Sequence, residues 1–152
     1  MTEISKKAKI LVVDDMQINL DLMIAVLDAN PDYTVATAQN GKTAIRKAKS
    51  TMFDIILLDV MMPEMDGFEV CKILKMYPTT KDIPVIFLTA LNDPKDIQKA
   101  FRSGAVDYIS KPFAKEELLE RVNLHIQLRR TNEELIRARK EAEAAAEAKS
   151  VF

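Results

Sequence analysis

The chain has 152 residues, 48% of them hydrophobic and 30% charged, the make-up of one globular domain with a substantial core. With 22 basic residues against 23 acidic ones there is no charge excess to favour a nucleic-acid polyanion or an anionic membrane as partner. A single cysteine, Cys71, excludes an internal disulfide, and without an 18-residue apolar run or a signal-peptide core the expected compartment is the cytoplasm.

All three glycines and all six prolines lie before residue 113. In that part, short apolar β-rich runs alternate with stretches of helical period, the pattern of a parallel sheet with crossover helices. "KILVVDD" (9–15) is the first predicted strand, followed by a helix over 17–29. "YTVATA" (33–38) is the second, and Asn40 and Gly41 turn the chain into a helix over 41–50. The third strand, "DIILLD" (54–59), leads to a helix over 66–77 in which Cys71 is a small packing residue. "PVIFLTA" (84–90), a helix over 94–103, "DYISKP" (107–112) and a helix from about Ala114 complete a five-stranded, doubly wound α/β fold. The first, third and fourth strands are continuously apolar, as strands covered by helices on both faces must be, and so take the central places.

Ligands of open α/β sheets bind beyond the carboxyl ends of the strands. Those ends carry Asp14 and Asp15 on the first strand, Asp59 on the third, Thr89 on the fourth and Lys111, followed by Pro112, on the fifth. Singly, each has a plain structural role: Asp14 or Asp15 as a helix cap, Thr89 as a β-former, Lys111 as a solvated strand end. Together they define chemistry. Carboxylates crowded at one rim repel one another until a cation joins them, and an all-oxygen set suits Mg²⁺ or Mn²⁺ over zinc. A hydroxyl and an ammonium beside them provide the donor and the fixed charge that phosphoryl oxygens need. Asp59 can then serve as a nucleophile that forms an acyl phosphate.

"ILVVDD", "DIILLDVMMPEMDGFEV", "VIFLTA" and "GAVDYISKPF" together resemble the receiver domain of two-component response regulators, over residues 8 to 128. The resemblance implies the strand order 2-1-3-4-5. It also implies that Asp59 accepts a phosphoryl group from a phosphohistidine on a kinase or phosphotransfer domain. Mg²⁺ would be held by Asp59, by Asp14 or Asp15, and by the backbone carbonyl of Met61. Lys111 would pair with the phosphoryl oxygens through a cis Lys111-Pro112 bond, Thr89 would donate its hydroxyl, and Tyr108 would turn inward as Thr89 moves. Gly67 suits the turn entering the third helix. Apolar Met61 and Leu91, two residues past Asp59 and Thr89, imply slow loss of the phosphoryl group.

Three rival readings have recognisable signatures. "ATAQNGKT" (36–43) resembles a P-loop, but Ala36 stands where the first glycine is required. An aspartate-nucleophile phosphatase would use Asp, Thr, Lys and magnesium too, with a second acid two residues after the nucleophile, and here that position is Met61. A receiver used only for docking would not need the full acidic set. The only histidine, His125, shows no base or metal partner in the sequence and is read as solvated or packed.

From Lys115 to Phe152 nothing breaks a helix. Its inward face is Leu118, Leu119, Val122 and Ile126, and Glu133 is spaced to support Arg137 at i, i+4. A second stripe, Leu124, Leu128, Thr131, Leu135, Ala138, Ala142 and Ala145, makes a heptad seam for a parallel homodimer. The expected division is a tail over 1–7, the receiver over 8–128 and a helical coiled-coil linker over 129–152. "ARKEAEAAAEAKSVF" resembles the lead-in to the dimerisation helices of sensor histidine kinases, which implies the N-terminal receiver of a hybrid kinase. A diguanylate cyclase or phosphatase could follow such a linker instead. No DNA-binding motif or membrane segment is visible.

Overall fold

The structure is a computed structural model and describes residues 7–90 and 93–150. Among these residues ten elements alternate: β1 (Ala8–Val13), α1 (Gln17–Leu27), β2 (Tyr33–Ala38), α2 (Gly41–Ser50), β3 (Ile55–Leu58), α3 (Gly67–Leu74), β4 (Val85–Thr89), α4 (Pro94–Arg102), β5 (Asp107–Ser110) and α5 (Lys115–Ser150). The five strands are all parallel, in the order β2-β1-β3-β4-β5, so β1, β3 and β4 are the central ones.

Side chains alternate across each strand and build two cores from the same apolar runs. Leu11, Val13, Ile56, Leu58, Val85 and Phe87 face α2, α3 and α4, while Ile10, Val12, Ile55, Leu57, Ile86 and Leu88 face α1 and α5. Cys71 is buried in the first of these cores, as a packing residue.

Helix ends follow local chemistry. Asn40 caps α2 by accepting from the Thr43 N–H, so the P-loop-like segment is a capped turn. Asp66 caps α3 in the same way through the Glu69 N–H, and Asp93 caps α4 ahead of Pro94. Helix α1 is different, because the residue before it is Met16, which provides no side-chain cap. α3 stops at Leu74, three residues short of the expected end, and the following Lys75 ammonium donates to the carbonyls of Lys81 and Ile83. That lysine ties the α3 to β4 connection together, and burial holds its pKa below the ordinary lysine value.

α5 is one unbroken helix of 36 residues. Leu118, Val122 and Ile126 are buried against the sheet and Leu119 is partly covered. Leu124, Leu128 and Leu135 are exposed, and every residue from 131 to 148 is exposed. Glu133 pairs back to Arg129 at 3.0 Å, so the expected support of Arg137 is replaced by a clasp one turn earlier. Arg129 also donates to the Phe53 carbonyl and faces Asp54, which pins the helix to the amino end of β3.

Candidate functional site

The carboxyl ends of β1, β3, β4 and β5 meet at one rim. Val13 pairs with Leu58, Leu58 with Phe87, and Thr89 with Ser110, so Asp14, Asp59, Thr89 and Lys111 each stand at or just beyond the last rung of a strand. Carboxylate oxygens of Asp14, Asp15 and Asp59 lie within 4.8 Å of one another. Asp14 and Asp59 are buried and Asp15 is exposed. The Lys111 ammonium is 3.1 Å from Asp14 Oδ2 and 3.8 Å from Asp59 Oδ1. The Lys111-Pro112 peptide is cis, as expected from the resemblance.

Each acid has its own surroundings. Asp14 accepts from the Met16 N–H at 2.9 Å and from the Asn19 side chain at 3.3 Å, which stabilises the turn into α1 without capping it. Burial pushes the Asp59 carboxyl up to about 6 against the opposing pull of Lys111; the Asp14 charge adds to the rise, while the Val60 and Met61 N–H groups resist it. Three carboxylates with one ammonium form an oxygen-rich set with excess negative charge, which fits a small hard divalent cation.

Gly67 shapes the floor of the rim. A Cβ there would fall 2.3 Å from the Asp59 carbonyl oxygen and 2.9 Å from the Val60 Cα, so α3 can begin this close to β3 only with a bare backbone. Its N–H donates to the Val60 carbonyl. Close approach, not an unusual φ, therefore fixes this residue. The Met61 side chain, two residues past Asp59, is 63% exposed. Leu91 lies outside the described residues.

Thr89 is fully buried at the end of β4, and its carbonyl accepts from the Lys111 N–H. Tyr108 pairs with Phe87 across the ladder, and its ring rests on the α2/α3/α4 core, so it is already directed inward. Its hydroxyl is shielded and makes no hydrogen bond among the described residues. Burial, reinforced by the Asp96 charge, raises its pKa.

On the α1 side, a cavity of about 350 Å³ opens beside Asp14, Asp59 and Lys111, with Leu22, Met23 and Phe113 in its wall. Met16, Ile18 and Leu22 are exposed at the start of α1. His125, which showed no partner in the sequence, sits with Nε2 3.0 Å from Asp107 Oδ2, away from the rim. The partner was hidden by an 18-residue separation.

The profile of the response regulator receiver domain family matches residues 10–123, and the chain belongs to that family. It is 50% identical to the response regulator PleD of Caulobacter vibrioides over 115 residues, 76% of this chain and 25% of that protein. It is 41% identical to a probable cyclic di-GMP phosphodiesterase of Vibrio cholerae over 127 residues, 84% of this chain and 28% of that one. The chain thus spans about a quarter of the length of these two relatives. Among solved structures, the receiver domain of the sensor histidine kinase PA1611 from Pseudomonas aeruginosa, with a magnesium ion coordinated in its active-site cleft, superposes with a TM-score of 0.73. Its identity is 29%, over 79% of this chain and 98% of that one.

Proposed function

We propose that Asp59 accepts a phosphoryl group from a phosphohistidine on a partner kinase or phosphotransfer domain. An Asp59 carboxylate oxygen attacks phosphorus, the phosphorus–nitrogen bond breaks, and its electron pair returns to the imidazole. Lys111 balances charge on the phosphoryl oxygens, the Thr89 hydroxyl donates to them, and Tyr108 shifts as Thr89 moves. Asp59, Asp14 or Asp15 and the Met61 carbonyl would hold Mg²⁺ or Mn²⁺, which supplies the positive charge that lets two anions meet. The observation that carries this reading is the buried Asp59 carboxylate, in reach of Lys111 and of two further acids at the sheet's carboxyl rim. The exposed Met16, Ile18 and Leu22 beside the rim offer the donor an apolar landing surface. Met61 in place of a second acid argues against a phosphatase.

The receiver is assigned to residues 8–128 and the linker to 129–152, of which 151 and 152 lie outside the described residues. Through the exposed leucines of α5 the chain would form a parallel homodimer and regulate an attached domain, read as a histidine kinase in the cytoplasm. The likeness to the receiver of a sensor histidine kinase supports that reading. No helix among the described residues is long and apolar enough to cross a membrane.

Acetyl phosphate with Mg²⁺ should add one phosphate to the intact mass, and a metal chelator should abolish it. No adduct with either divalent ion, on a chain shown to bind that ion, would contradict the acceptor role.

A further inference from the structure

Asp107 opens β5 and immediately precedes Tyr108. Its Oδ1 accepts from the Arg121 Nη1 at 2.6 Å and from the Tyr108 N–H at 2.8 Å. Its Oδ2 faces His125 Nε2 at 3.0 Å. The same Arg121 nitrogen also lies 3.4 Å from the Tyr108 carbonyl oxygen, and the other terminal nitrogen of that guanidinium is held by Glu117 at 3.3 Å. Arg121 and His125, one turn apart on α5, therefore hold the Asp107 carboxylate that accepts from the Tyr108 N–H, and Arg121 also reaches the Tyr108 carbonyl.

β5 is an edge strand, bonded only to β4, so the ladder restrains it on one side only. Asp107 and Tyr108 are joined by a planar peptide, and a shift of one carries the other. Apolar packing of Leu118, Val122 and Ile126 is non-directional and tolerates sliding over the sheet. Charge-assisted hydrogen bonds fix direction and distance, so they set how α5 follows β5. Beyond His125, the Arg129 contacts to Phe53 and Asp54 hold the helix to the segment that enters β3, a strand not hydrogen-bonded to β5. α5 therefore has one anchor that would move with Tyr108 and one that would stay.

We propose that Asp107, with Arg121 and His125, couples the position of Tyr108 to α5, so that the C-terminal helix tilts about its Arg129 anchor when the site is phosphorylated. The three are positioning residues, and the inference rests on the acceptor reading of Asp59 given above.

The experiment uses the full chain treated with acetyl phosphate and Mg²⁺. Intact mass scores phosphorylation, and backbone hydrogen exchange scores the helix segment 118–130. In the parent, exchange in that segment should change by about threefold on phosphorylation, the size of a modest local opening shift. Asp107→Asn should take up phosphate equally and lose that response, and Arg121→Lys, which keeps the charge, should retain it. An Asp107→Asn chain that responds like the parent would overturn the coupling, as would a parent that takes phosphate without any change in α5. Absence of the adduct in the parent refutes the acceptor reading instead, and the inference falls with it.

Discussion

Asp59 is charged at neutral pH in a place that disfavours charge. Its folded pKa of about 6 lies above the ordinary aspartate value, so its contribution to stability is complete below the unfolded pKa and is lost as pH rises through 6. Above that, the ionised group costs the fold on the order of 2 kcal/mol, the linkage equivalent of such a shift after allowance for partial hydration. Asp59→Asn is therefore expected to raise the urea midpoint at pH 8 in a chelator by a corresponding amount, with the gap closing as pH falls toward 4. A variant less stable than the parent at pH 8 would contradict this account of the site. Asp107 is the opposite case: burial alone would raise its pKa, but the bonds from His125 and from the Tyr108 N–H, with the Arg121 charge, bring it below the ordinary value. Its ion pairs add stability above the unfolded pKa, lost as pH falls through the lower folded one. Asp59 and Lys111 were legible in the sequence because each stands at the carboxyl end of a recognisable strand. The Asp107 cluster was not, because its partners come from α5, 14 and 18 residues away, and no periodic pattern marks them.

At the scale of elements, hydrophobic period accounts for most of what the chain forms. β-rich runs of four to six residues became strands, and the central three were recognisable from their continuous apolar character. Helix ends were less legible: α3 stops at Leu74, where Lys75 turns to carbonyls of the next connection, a tertiary contact without a local signal. Gly67 stands at the entry to α3 where the sequence placed it, but the close approach to the Asp59 carbonyl that demands a bare backbone is visible only once α3 is placed on β3. α5 beyond Arg129 raises the opposite question, because an exposed solitary helix of roughly 20 residues is marginal in water. Leu128 and Leu135 are 55% and 64% exposed, so lysine at both positions should leave the single-chain fold intact. If α5 pairs through its seam, Leu128→Lys with Leu135→Lys should convert a dimer to a monomer in sedimentation velocity, at about 2 kcal/mol for each leucine no longer buried. Equal sedimentation of parent and variant would remove the seam.

For the whole molecule, the strand order came from the family resemblance and not from spacing, and the sheet has that order. The order matters because it places the ends of β1, β3 and β4 side by side, which brings together acids that are 45 residues apart in the chain, Asp14 and Asp59. The two cores then hold α1 and α5 on one face and α2, α3 and α4 on the other, with the rim open between them. The central claim is that the phosphoryl group goes to Asp59 and to no other acid at that rim. Borohydride reduces an acyl phosphate to the alcohol, so a phosphorylated aspartate becomes homoserine at its own position. After acetyl phosphate and Mg²⁺ treatment, peptide sequencing should find homoserine at position 59 alone. Homoserine at position 14 or 15, or at none of the acids in a chain that has gained phosphate, would contradict the account.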